Sequence, residues 1–229
     1  TLQSVFTRVC INKAYLKKRL MINLEITQEF STSLYWVSLV AVVVSSASGV
    51  LKSGFRQFDL FGVVIIAITT GLGGGSLRDM LLDIEVFWIK DQIFFIVSLT
   101  SAVVIFIGAR SLSISAKFFL IPDAAGLAAF SVAGTMVALM ADAPWLIASF
   151  MGVITGAMGG IFRDLLCNET PIVFKSPLYA TAAWIGSLGF IVLIDSGVSV
   201  TISAIVAGLS IFITRLLALR FNLGLPKFQ

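Results

Sequence analysis

The chain has 229 residues, 58% of them hydrophobic and only 12% charged, with a net charge of +4 and a mean hydropathy of +1.03. Soluble domains carry about 25% charged residues, so this composition excludes a water-facing surface and points to lipid as the solvent. There is no His to serve as general base or metal ligand, Cys10 and Cys167 form no CxxC pair, and the small net charge sits at segment ends. Enzymes, disulfide scaffolds and nucleic-acid binders are poor readings.

Residues 1–32 read as a basic tail with Arg8, Lys13, Lys17, Lys18 and Arg19. The tail lacks the apolar core of roughly 7–15 residues and the cleavage site of a signal peptide. Met21 reads as the natural start, with the residues before it foreign to the native protein or a mis-assigned start. Seven apolar stretches follow, at 33–51, 60–78, 93–109, 122–140, 145–163, 178–194 and 199–219. Each approaches the roughly 20 residues of a crossing. The runs are continuous and do not alternate, which selects helices over barrel strands. The expected fold is an all-α membrane protein of seven transmembrane helices.

Hydroxyl and charged residues cluster in some stretches. Ser45, Ser46 and Ser48 lie late in the first, Thr69, Thr70 and Ser76 in the second, Asp123, Ser131 and Thr135 in the fourth, and Thr155 in the fifth. They line a polar pathway or, equally well, the hydroxyls bond carbonyls of their own helix. Lys52, Arg56, Arg110, Lys117, Arg163, Lys175, Arg215, Arg220 and Lys227 fall on one side, against Arg78 and Lys90 on the other. Without the tail this excess sets the N-terminus outside and the C-terminus in the cytoplasm. Counting the tail nearly cancels it.

Residues 70–81 read TGLGGGSLRDML and residues 155–166 read TGAMGGIFRDLL, aligned without gaps at an offset of 85 (155 − 70). The same offset pairs Lys90 with Lys175 and Gly49 with Gly134. An accidental match of this kind is improbable, so the chain is read as an internal duplication. The motifs lie three crossings apart, and an odd number of crossings reverses direction. The expected organisation is therefore a first three-helix repeat over 33–110, an inverted second over 120–195, and a seventh helix over 198–220. Such inverted repeats place conducting or binding sites at their interface.

Gly71, Gly73, Gly74 and Gly75 in the first copy, and Gly156, Gly159 and Gly160 in the second, admit many backbone conformations. They are expected to kink the two helices and free carbonyls towards a cation. Gly71 with Gly75, and Gly156 with Gly160, also form GxxxG pairs, which serve close helix packing. Arg78-Asp79 and Arg163-Asp164 follow one turn later. Ionisable residues near the bilayer centre cost about 2.5–3.5 kcal/mol each, so they line water, pair with each other, or snorkel to headgroups.

The duplicated G-G-x-x-R-D in a seven-helix chain of this size resembles the trimeric intracellular cation channel family, in its prokaryotic branch. Residues 122–134, PDAAGLAAFSVAG, are similar to that family's fourth-helix entry, and the resemblance spans about 33–219. It implies a homotrimer in a prokaryotic plasma membrane with one pore per protomer, permeable to K⁺ and other monovalent cations. Kinked second and fifth helices would line the pore. Animal members carry Lys-Glu-Val in the fifth helix where this chain has Ile161-Phe162-Arg163-Asp164, so their lipid or voltage regulation does not carry over. The same bacterial families are also described as possible glycine transporters.

The leading expectation is a passive cation channel lined by Ser45, Ser48, Thr70, Thr155, Ser131, Thr135 and the glycines, with Arg78, Asp79, Arg163, Asp164 and Asp123 as charged candidates and Phe130 or Met136 as a hydrophobic gate. No cofactor or bound metal is expected; K⁺ or Na⁺ would be the permeant ions, and membrane lipids the surrounding partners. The alternative is a carrier for glycine or another small zwitterion, an Arg holding the carboxylate and an Asp the amine. A third reading, a structural scaffold, leaves the duplicated charges without purpose.

Overall fold

Continuous aliphatic and Phe-rich runs, broken by Asp, Pro and Gly, leave the backbone in lipid no partner but itself, and helices result. The computed structural model describes residues 2–56, 58–110, 118–175, 178–221 and 223, with side chains described from residue 28 onward except at 55 and 110. The basic side chains of the tail and of Arg110, together with Lys117 and Lys227, lie outside the described residues. The helices are α1 (Leu2–Ser53), α2 (Leu60–Leu81), α3 (Phe87–Lys90), α4 (Ile93–Arg110), α5 (Leu120–Met140), α6 (Trp145–Leu166), α7 (Ile172–Lys175), α8 (Tyr179–Asp195) and α9 (Val200–Phe221). Among the described residues, five spans are long and apolar enough to cross a membrane: Gln28–Ser53 within α1, α2, α5, α6 and α9. Ile93–Ala109 and Tyr179–Asp195 are shorter apolar helices.

Local chemistry sets the ends. Asp59 Oδ1 accepts from Gly62 N at 2.8 Å and starts α2. The C-termini of α2, α5 and α6 close through left-handed residues, Asp83, Asp142 and Asn168, residue types that tolerate this region. Each closure is followed by a bond back five residues, Ile84 N to Asp79 O, Ala143 N to Ala138 O and Glu169 N to Asp164 O, at 2.8–3.0 Å.

α5 packs against α1 and α6, α2 packs against α1 and α6, and α8 and α9 close the second half. The outside is apolar: Phe61, Met80, Val104, Ile107, Trp145, Ile185 and Leu209 are all exposed. The inside carries Arg78, Asp79, Asp123, Arg163, Asp164 and Arg215 alongside Leu127, Met136 and Phe190. Charges inside and hydrocarbon outside suit lipid as the surrounding medium.

Candidate functional site

The glycines decide how closely the helices approach. A Cβ on Gly74 would fall on the Thr155 carbonyl, and one on Gly159 on the Thr70 carbonyl, an exchange symmetric at the 85-residue offset. α2 and α6 therefore cross with backbones in contact. Gly71 faces Ser46 Oγ and the Val42 carbonyl of α1, while Gly156 faces Ser131 Oγ and the Leu127 carbonyl of α5. Gly73 lies against Phe162, Gly75 against Phe87, and Gly160 near Tyr179 and Asp123. Both helices run as unbroken α-helix through these glycines. The glycines thus draw helices together, the packing alternative of the GxxxG reading, without interrupting the helix assignment.

Three hydroxyls follow the bland reading as well. Thr70 donates to Ile66 O at 2.5 Å, Thr155 to Met151 O at 2.6 Å and Thr135 to Ser131 O at 2.8 Å. With apolar neighbours, a threonine hydroxyl takes the nearest carbonyl one turn back. The serines differ. Ser46 pairs with Ser98 across α1 and α4 at 2.9 Å, Ser48 accepts from Arg163 Nη1, and Ser45 Oγ sits where a side chain on Gly126 would stand. Ser131 Oγ and Ser187 Oγ are buried without a hydrogen-bond partner among the described residues.

Each Arg-Asp pair is held by the turn that follows it. Arg78 Nε donates to Asp79 Oδ1 at 2.7 Å, and Asp79 Oδ2 accepts from Phe87 N at 2.9 Å. Arg163 Nε donates to Asp164 Oδ1 at 2.9 Å, and Asp164 Oδ2 accepts from Ile172 N at 2.8 Å. The carboxylates thus anchor α3 and α7, short helices that no periodicity announces. All four side chains are buried, Arg163 completely, so snorkelling to headgroups is excluded for both arginines.

Beyond this shared frame the two ends diverge. Arg163 Nη1 also meets Asp123 Oδ1 at 2.6 Å. Lys52 Nζ lies 3.6 Å from Asp164 Oδ1 and 2.7 Å from Glu169 Oε2, and Arg56 pairs with Glu169. The Phe119 ring lies beneath Lys52 Nζ at 4.5 Å and Arg163 Cζ at 5.2 Å. Asp123 Oδ2 and Arg163 Nη2 stay without a hydrogen-bond partner among the described residues. The Lys52 ammonium, then Arg56, holds the Glu169 carboxyl below its ordinary value.

The other end is open. A cavity of about 410 Å³ lies between α1, α2, α3, α4 and α5, with Arg78, Lys90 and Asp91 among its lining and Phe130 on its wall. From Phe130 to Asp123 is seven residues of α5, about 10 Å of helix.

Sequence reasoning missed Ser38, Lys52, Glu169 and Tyr179. Lys52, Arg163 and Arg215, all counted for orientation, are buried, because carboxylates or rings meet them inside. Arg215 lies over the Tyr179 ring at 4.6 Å. An Arg within a 22-residue apolar helix was itself the available signal.

The family model described as Glycine transporter matches twice, at residues 35–110 and 120–195, displaced by 85 residues (120 − 35). The inner membrane protein YadS of Escherichia coli K12, designated UPF0126, is 37% identical over 197 residues, covering 85% of this chain and 95% of the relative. A UPF0126 membrane protein of Vibrio cholerae is 38% identical, covering 85% and 82%. Among solved structures, the trimeric intracellular cation channel orthologue from Rhodobacter sphaeroides superposes with a TM-score of 0.80 at 32% identity, covering 84% of this chain and 100% of that one. A prokaryotic channel of that kind in 0.5 M KCl gives 0.76 at 27%, covering 84% and 98%.

Proposed function

The chain belongs to the Glycine transporter family, and from that premise we propose that it is a channel for monovalent cations, K⁺ among them, in a bacterial plasma membrane. Its likeness to the cation channel orthologue of Rhodobacter sphaeroides supports conduction of cations. In this reading seven helices cross the membrane as two inverted three-helix repeats, 33–110 and 120–195, followed by 198–220, with a tail over 1–32. Three such chains assemble, each with its own pathway and the C-terminus in the cytoplasm. The reciprocal contact of Gly74 with Thr155 and Gly159 with Thr70 supports a two-fold relation between the repeats.

One observation carries the reading: polar and charged groups run through the interior of a bundle whose exterior is apolar. From the Arg78 cavity they continue past Phe130, Ser131 and Ser45 to Ser48, Asp123 and Arg163. A buried polar atom without a partner costs about 1–3 kcal/mol, so Ser131 Oγ, Asp123 Oδ2 and Arg163 Nη2 call for water or an ion beside them. In this reading Phe130 and the Arg163–Asp123 pair, about 10 Å apart along α5, are the two constrictions of the pathway. Permeating K⁺ or Na⁺ needs no cofactor. Thr70, Thr155, Thr135 and the glycines act here by holding the walls together.

Purified protein in liposomes is expected to pass K⁺ down its gradient far faster than labelled glycine. Glycine accumulation driven by an ion gradient, with no K⁺ current in planar bilayers, would reject the channel and establish a carrier. That second reading is favoured by the separation of two charged ends by a closed crossing, as alternating access requires.

A further inference from the structure

The two arginines occupy equivalent positions but do not have equivalent partners. Arg163 has two carboxylates, Asp164 on its own helix and Asp123 forty residues earlier on α5. Forty residues before Arg78 stands Ser38 (78 − 40), which is also Asp123 carried back by the 85-residue offset (123 − 85). Ser38 and Arg78 line the same cavity. The carboxylate that completes Arg163 is thus absent at Arg78, and a hydroxyl on the cavity wall stands in its place.

Arg78 is only 3% exposed. Its Nε and Nη2 both reach Asp79 Oδ1, its Cζ lies 5.6 Å from the centre of the Phe87 ring, and the guanidinium lines the cavity. The other Asp79 oxygen accepts from Phe87 N. Two more charges line the cavity. Asp91 is engaged through Oδ1 by Ile93 N at 3.0 Å, and Lys90 forms no ion pair among the described residues. A guanidinium with a single carboxylate partner, lining a cavity together with a lysine, has the chemistry that takes a further carboxylate or phosphate.

We infer that the cavity between α1, α2 and α3 is a binding site for one compact oxyanion, a carboxylate or a phosphate, held by Arg78 and Lys90 in the role that Asp123 plays for Arg163. Leu34, Tyr35, Phe94 and Val137 give the rest of the 410 Å³ an apolar wall, room for the short body carrying the anion. The inference rests on this cavity and stands whether the protein is a channel or a carrier.

The test is the thermal midpoint of the full-length protein in neutral detergent. It is titrated with sodium acetate, with inorganic phosphate, and with phosphatidylglycerol in mixed micelles, against sodium chloride of equal ionic strength. Wild type is expected to show saturable stabilisation. A response to acetate or phosphate assigns a free anion, and a response to phosphatidylglycerol alone assigns a lipid headgroup. Ser38→Asp supplies Arg78 with its own carboxylate and is expected to weaken binding at least tenfold while leaving the protein as stable as wild type or more so. Lys90→Gln, on an exposed side chain, is expected to weaken binding severalfold and covers the case in which the first variant does not fold. No saturable shift with any of the three, or affinities unchanged in a folded variant, would overturn the site.

Discussion

Asp123→Asn removes one charge from a buried network and almost no volume. Asp123, Arg163, Asp164, Lys52, Glu169 and Arg56 contribute three negative and three positive charges, so the substitution leaves a net +1 around a fully buried guanidinium. Breaking a buried ion pair from one side costs about 3–5 kcal/mol. Arg163 keeps Asp164 at 2.9 Å, which puts the loss at the lower end, about 3 kcal/mol. For a chain of this size roughly 2–4 °C of melting temperature accompanies each kcal/mol, so a fall of about 6–12 °C is expected. Thermal unfolding in detergent, followed by tryptophan fluorescence, measures it. Arg163→Gln on top of Asp123→Asn should cost less than the sum of the two, with a coupling of up to about 3 kcal/mol. A drop under 2 °C for the single variant, or strict additivity in the cycle, would mean that the pair does not hold α5 to α6.

Gly74→Ala or Gly159→Ala inserts a methyl where the opposing helix has a carbonyl. Overpacking of this kind costs about 1–3 kcal/mol, and the melting curve should show it; wild-type stability would place the crossing elsewhere. Phe130→Ala is expected to raise K⁺ flux in liposomes severalfold, and unchanged flux removes Phe130 as a constriction. The Glu169 carboxyl sits below its ordinary value of 4.5 because Lys52 and Arg56 bond its charged form. Its contribution to stability is therefore complete at neutral pH and is lost as pH falls through that depressed value. Glu169→Gln should flatten the acid limb of the stability profile, and an unaltered limb would show that other carboxylates set it.

Helix positions were legible because lipid imposes long apolar runs, and the predicted 60–78 and 145–163 appear as Leu60–Leu81 and Trp145–Leu166. The shortfall at both C-termini has one cause. Arg78 and Arg163 look like ends on the assumption that charge marks the interface, yet each is neutralised inside and its helix runs on for three residues. The glycine motif was legible as a duplication, but not its choice between kinking and packing, which depends on what stands opposite. Thr70 and Thr155 are invisible to each other in sequence, yet each offers the carbonyl that fixes the other copy's glycine at the crossing. Lys52 and Glu169 were missed because both read as loop charges and become a pair only when α1 meets the end of α6. Ser38 could have been found by carrying Asp123 back along the repeat.

What the two halves share and where they differ divides structure from specificity. Gly74 with Gly159, Thr70 with Thr155, Asp79 with Asp164 and the backbone donors Phe87 with Ile172 recur at one offset; the first two bring backbone against backbone and the last two tie a carboxylate to the turn that follows it. These positions hold the helices together in both copies. Three departures change charge around Arg163: Asp123 stands against Ser38, Glu169 against Ile84, and Lys52 against Val137. One arginine is consequently closed off by two of the protein's own carboxylates while its counterpart has one and lines a cavity. A duplicated frame therefore carries different charge around its two arginines. Exchanging the residues at 38 and 123 should therefore move the second carboxylate from Arg163 to Arg78 and leave the Gly74–Gly159 crossing intact, with a melting temperature close to wild type.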